Sequence, residues 1–265
     1  MDILRKSLAP ISQKGWNEIE EQAKDVFENV LTARKFVEVD GPHGIDHAAV
    51  NTGRLEIPEG QKEKDVRFGI KRVLPLMELR KSFRVNIWEL DNAVRGAEDI
   101  NLEEMENAAK EIAEFEENAI YNGFEKACIK GLKNSTDYDV LEFPDNSEEI
   151  IKTIASAINQ MKKSFIDSPD TLILSTDKWE KLMASGGGYP LYKRVQDLMD
   201  GGDIILNPYI KEGYLVKSKG GDLKLTLGQD FSIGYESHNE KEVNLYFTES
   251  FAFQVLDPAA VIAFK

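Results

Sequence analysis

Residues 77–131 read MELRKSFRVNIWELDNAVRGAEDINLEEMENAAKEIAEFEENAIYNGFEKACIKG, and a change of hydrophobic period inside this stretch decides the fold class. Over 77–87, Met77, Leu79, Phe83, Val85 and Ile87 alternate with Glu78, Arg80, Ser82, Arg84 and Asn86. This is the period of two of a long strand with one wet face, broken only at Lys81. From Asn101 the period lengthens: Met105, Ala108, Ala109, Ile112, Phe115, Ala119, Ile120, Ala127 and Cys128 recur at helical spacing. Asn101 with Glu104 resembles a capping box, and Gly131 is the expected stop. Glu103, Glu104, Glu106, Glu111, Glu114, Glu116 and Glu117 read as the solvated outer face of that helix rather than as a metal site.

Upstream, Trp16, Ile19, Ala23, Val26, Phe27, Val30 and Leu31 mark one apolar face of a helix over 16–31, with Ser12 placed to cap it. A one-faced helix must lie on something. A loop with His and Gly follows at 41–53, then a charged segment, 54–73, with too few core residues to bury itself, which reads as an excursion from the body. Downstream, a helix over 147–165, a buried strand at 171–175, two short helices around 185–188 and strand signals at Ile204 and Tyr214 predict a compact unit of their own. Beyond Gly220 and Gly221 the chain reads as strands at 223–227, 231–236, 243–248, 251–256 and 259–264.

The 265 residues are 42% hydrophobic and 30% charged, with a formal net charge of −14. That is globular composition, and its sign opposes a phosphate backbone or an anionic membrane, so neither nucleic acid nor membrane is an expected partner. The N-terminal residues lack a signal-peptide core, and no run approaches the ~18 apolar residues of a span. With a single cysteine, Cys128, no intrachain disulfide forms, which fits a cytoplasmic protein. The three histidines, His43, His47 and His238, fall in predicted loops and starve most catalytic schemes. His43 and His47 share an H-x3-H spacing without a neighbouring cysteine, and no metal site is expected. No Glu-x-x-His pair, G-x-S-x-G, P-loop or G-x-G-x-x-G spacing occurs, so no enzyme activity is expected. Trp88 reads as a core or interface residue, or as a stacking platform.

Several stretches in order, RKFVEVDGPHG at 34–44, LPLMELR at 74–80, WELDN at 88–92, AEFEENAIYNG at 113–123, GGDLKLTLGQDFSIGYE at 220–236 and FTESFAFQV at 247–255, resemble the encapsulin family of nanocompartment shell proteins. The resemblance covers essentially the whole chain. It implies an α+β tailed-phage major capsid (Hong Kong 97-like) fold. An N-terminal region, 1–40, would carry a lumen-facing helix. The extended loop would span 48–72, the peripheral domain 74–134 and 220–265, and the axial domain 135–219. The implied function is structural: an icosahedral homo-oligomer, with 60 copies favoured, enclosing a cargo such as a ferritin-like iron oxidase or a dye-decolorising peroxidase. A prophage major capsid protein would share the fold but needs scaffolding, maturation and DNA packaging. A protease or bacteriocin would need a nucleophile and base that the sequence does not offer.

The resemblance also implies sites. A short C-terminal tail of the cargo enzyme would dock between the N-terminal helix, through Phe27, Val30 and Leu31, and a strand carrying Phe231, Ile233 and Tyr235, with Arg34 and Glu38 at the rim. The loop Met183, Ala184, Ser185, Gly186, Gly187, Gly188 and Tyr189 would line the fivefold pore. No cofactor is required, but some family members bind a flavin through a tryptophan that Trp88 matches, with Arg80 able to meet its phosphate or ring.

Overall fold

The computed structural model describes residues 3–62, 66–184 and 190–265. The alternating stretch forms a strand, Met77–Asn86 (β4), paired antiparallel along its whole length with a 14-residue strand, Glu242–Val255 (β10). β10 organises the first sheet. Its N-terminal half also pairs with Ser232–His238 (β9) and its C-terminal half with Leu223–Leu227 (β8), which in turn holds the short parallel strand Glu38–Asp40 (β1). The two strands expected at 243–248 and 251–256 are thus one, because Glu249 and Ser250 between them are buried instead of turning outward.

One face of this sheet is covered by three helices. Gln13–Val30 (α1) is capped by Ser12, whose hydroxyl accepts from Gly15 N at 3.1 Å, as expected. Ile87–Arg95 (α2) starts where the strand was expected to continue, because Asn86 Oδ1 accepts from Trp88 N and opens a helix instead. Glu103–Asn122 (α3) packs on both β4 and α1. Its start differs from the expected capping box: Leu102 occupies the cap, Asn101 Oδ1 accepts from Glu103 N, and Glu104 pairs with Arg84 at 3.1 Å. Its end differs too. Gly123 breaks the helix, and the chain folds back through a short 3-10 turn so that Gly131 lies against Gly123; a Cβ on either would collide with the other segment's backbone. Ala127 and Cys128 therefore sit in this turn, Cys128 with a left-handed φ of 59°, and not on the helix.

The second sheet has the order β11-β7-β5-β6, from Val261–Phe264 (β11), Gly213–Val216 (β7), Thr171–Leu174 (β5) and Asp203–Leu206 (β6). Ser147–Lys163 (α4), Thr176–Met183 (α5) and Leu191–Leu198 (α6) bury a second core against it, including Ile150, Ile154, Leu172, Val195 and Phe264. β11, from within the 220–265 stretch, pairs with β7 and turns Ile262 and Phe264 to the second core, while Val261 and Ala263 on its other face pack with Leu225 and Phe253 of the first sheet.

The charged excursion is a two-stranded arm, Ala49–Glu56 (β2) against Ile70–Pro75 (β3). It leaves Leu55, Ile57, Phe68, Ile70 and Val73 exposed, so this arm buries little of its own apolar surface.

Candidate functional site

Steps of four along α1 place Ala23, Phe27 and Leu31 on one stripe, while Phe231 and Ile233, on alternate positions at the start of β9, face that stripe. Between them lies a groove of about 880 Å³. Its floor is an aromatic stack: the Phe27 and Phe231 rings lie parallel at 4.3 Å, Phe247 meets Phe27 edge-on at 5.4 Å, and Phe83 stacks on Phe247 at 4.7 Å. These rings tie helix to sheet and leave the outer faces of Phe27 and Phe231 half-buried in the groove. The rim is charged and largely paired. Lys6 meets Glu20 at 2.6 Å and lies over the Trp16 ring, Lys24 meets Glu28 at 3.5 Å, and Lys35 stands beside them.

Arg34 closes one end of the groove, but its guanidinium points inward rather than out to a rim. It donates to Glu116 through Nε and Nη2, to Glu249 at 2.5 Å and to Asp230 at 2.9 Å, with its carbon 4.9 Å from the Phe231 ring centre. Burial opposes charge on Arg34, yet hydrogen bonding to Glu116 and the fields of Glu116, Glu249 and Asp230 outweigh it and raise its pKa. Glu249 is wholly buried, its Oε2 has no hydrogen-bond partner, and burial followed by the neighbouring Glu116 charge raises its pKa well above the carboxylate range. Three carboxylates, Glu116, Glu249 and Asp230, thus converge on a single guanidinium.

Glu117 beside it holds a second buried cluster. Its carboxylate accepts from Thr32 Oγ1 at 2.5 Å, Ala33 N at 2.8 Å and Asn207 Nδ2 at 3.0 Å, and the Tyr121 hydroxyl adds a bond to Thr32. Burial nevertheless pushes Glu117 up to about 7. Glu116 and Glu117 therefore leave the solvated face assigned to them. The sequence carries the signal for Glu116, which is four residues from both Ile112 and Ile120 and so lies on the apolar stripe.

Five of the eight expected docking residues meet in the groove: Phe27, Leu31, Arg34, Phe231 and Ile233. Val30 turns to the other flank, buried against Ala113. Tyr235, opposite Leu245, keeps the alternation set by Ile233 but stands two residues farther along β9, in a separate depression with Arg80 and Tyr246, where its hydroxyl meets His238 Nδ1 at 2.6 Å. Glu38 lies across the sheet on β1, exposed and in register with Lys224. Sequence reading missed Glu20, Ala23 and Lys24, which the same helical steps could have supplied, and Lys6 and Asp230, which only the tertiary fold brings in.

Trp88 sits in the first turn of α2, 67% exposed, and contributes nothing to this chain's core. Arg80 lies with its guanidinium carbon 3.5 Å from the Tyr246 ring centre. Six strand steps of roughly 3.3 Å each run from Arg80 to Asn86, the residue that caps α2. Met183, 55% exposed, ends α5 and Ala184 follows it; Ser185, Gly186, Gly187, Gly188 and Tyr189 lie outside the described residues.

Comparison with known proteins places this architecture. The sequence model of a protein family described as "Encapsulating protein for peroxidase" matches residues 1–252. A type 1 encapsulin shell protein of Rhodococcus erythropolis is 35% identical over 264 residues, covering 99% of each chain. One from Mycobacterium tuberculosis is 34% identical over the same length and share. Among solved structures, a virus-like particle from Pyrococcus furiosus aligns with a TM-score of 0.68 at 18% identity, over 94% of this chain and 98% of that one. The Mycobacterium phage Bobi structure aligns at 0.57 and 16% identity over 89% of each, which shows a fold shared with tailed-phage capsids. The curated relatives are named as shell proteins, a structural role, and not for a reaction. With the family model matched over 1–252 and relatives about 35% identical over nearly the full length, the chain belongs to the encapsulin family of shell proteins.

Proposed function

We propose that about 60 copies of this chain close into an icosahedral shell that sequesters a cargo enzyme, held inside by a short C-terminal tail lodged in the groove between α1 and β9. The observation that carries this reading is the groove itself. An aromatic floor framed by paired charges suits an extended tail that inserts a few apolar side chains and meets the rim with its backbone and polar groups. At about 880 Å³ it falls in the size range of specific binding clefts. The description of the matching family supports a peroxidase as cargo, and a ferritin-like iron oxidase is the other candidate. The segment 183–189 would line a pore for small solutes. The arm, with its exposed Leu55, Ile57 and Phe68, gains its cover from neighbouring copies. We place the shell in the cytoplasm, in keeping with the lone cysteine. Among the described residues no helix is long and apolar enough to cross a membrane.

The test is to co-express the chain with the enzyme encoded beside it and to compare wild type with a Phe231→Ala, Ile233→Ala double variant. Assembled but empty shells are the expected result. Loss of assembly with loss of folding would make both residues structural, since deleting such core groups costs about 2–5 kcal/mol each. Full loading of intact variant shells would overturn the proposed site.

A further inference from the structure

α4 ends in a left-handed closure of the kind that glycine normally makes. Ser164 is the C-cap, Phe165 N donates to Lys162 O at 3.1 Å, and Ile166 N donates to Met161 O at 3.0 Å, the paired bonds of a Schellman motif. The residue in the left-handed position is Phe165, with φ 66°. A Cβ is disfavoured there, and glycine or asparagine is the usual occupant. The ring gains nothing in return within the chain, because Phe165 is 96% exposed. Its neighbours fix it in that pose: Ile166 and Met161 are both buried in the second core, so the turn cannot relax without opening that core.

A bulky side chain that breaks a local rule and is left in solvent must be stabilised by something outside the chain, or it is a net cost. We infer that Phe165 is an anchor between copies, inserted into the surface of a second copy of this chain in the assembled shell. The occupant is argued from two observations. The chain belongs to a family of shell proteins, so further copies of itself are the partner that the proposed shell supplies. The ring is also flanked by the exposed cations Lys162 and Lys163, whereas the chain as a whole carries −14, so a second copy is a complementary surface for this point. In a closed ring the contact is head to tail, each copy giving one aromatic anchor and receiving another. The inference rests on assembly into a shell, and the test separates the two.

Full-length wild type, Phe165→Gly and Phe165→Asn are purified and their particles titrated with denaturant, followed by light scattering for assembly and circular dichroism for folding. Glycine and asparagine both relieve the left-handed strain, so each variant should fold at least as well as wild type. Their particles should come apart at lower denaturant, and the fraction assembled at limiting concentration should fall on the order of tenfold, as for loss of an aromatic hot spot. A Phe165→Trp variant, read against the wild-type tryptophan signal, should show the added indole shielded from quencher in particles and open to it after dissociation. Variant particles as robust as wild type, or an indole equally quenched in both states, would overturn the inference while leaving the shell intact. Failure of wild type itself to assemble would instead remove the shell reading on which the inference stands.

Discussion

Replacing Arg34 by Met tests the joint between the groove and the core. The guanidinium links three separate elements, α3 through Glu116, β10 through Glu249 and the entry to β9 through Asp230, while covering the Phe231 ring. Methionine fills much of the stem's volume and leaves Glu116 and Glu249, both fully buried, without a cation. Removing one partner of a buried ion pair costs about 3–5 kcal/mol, which in a chain of this size lowers the melting midpoint by about 10 °C. Arg34→Lys, which keeps the charge and loses the planar fork, should fall between wild type and Arg34→Met. Lys35→Met, one residue on and exposed, serves as the control and should stay within about 0.5 kcal/mol of wild type. Thermal melts of the purified protein read the result. A midpoint for the Arg34 variant within 2 °C of wild type, by the roughly 2–4 °C per kcal/mol expected here, would refute the claim that the network holds helix and sheet together.

Glu117 predicts a second pH effect. Its folded value near 7 lies above the ordinary 4.5, so below 4.5 its contribution is fully present. As pH rises toward 7 the unfolded chain gives up the proton that the folded chain keeps, and about 3 kcal/mol is lost in total. Glu117→Gln should flatten this part of the profile of denaturation midpoint against pH, and an unchanged slope would show that other groups carry it. For a flavin at Trp88, shells should quench added flavin mononucleotide in a way that Trp88→Ala abolishes and Arg80→Met leaves largely intact, since Arg80 is engaged by Tyr246. Equal quenching by wild type and Trp88→Ala would exclude that site.

Regular elements were legible wherever local period decides structure. β4, α1 with its Ser12 cap and α4 follow directly from side-chain spacing and cap chemistry. β10 was misread as two strands because Glu249 and Ser250 look like a polar turn, and only Arg34, 215 residues away, explains a carboxylate there. The groove was legible on its helical side and at Phe231 and Ile233, which share a face by simple alternation. It failed at Tyr235, which shares that alternation but stands two residues farther along β9, past the end of the groove, and spacing alone does not say where a groove ends. Lys6 reaches the rim because Leu4 O accepts from Tyr235 N at 2.7 Å and draws the N-terminal segment against β9, a pairing with no periodic signature. Phe165 was read as the ordinary tail of a helix, since a left-handed backbone is visible only in the structure.

The crossing of β11 into the second sheet has a consequence for the order of events during synthesis. β5, β6 and β7 leave the ribosome well before Ile262 and Phe264, yet those two side chains complete the core beneath α4. The first sheet likewise waits for β10, its central strand. Neither half can finish folding during translation until nearly the whole stretch through Phe264 has emerged, so chains cut short by premature termination lack both cores. Such fragments cannot present the surfaces by which copies recognise one another. Emergence of β10 and β11 thereby becomes a checkpoint for folding, and so for joining other copies, imposed by the topology of the two sheets.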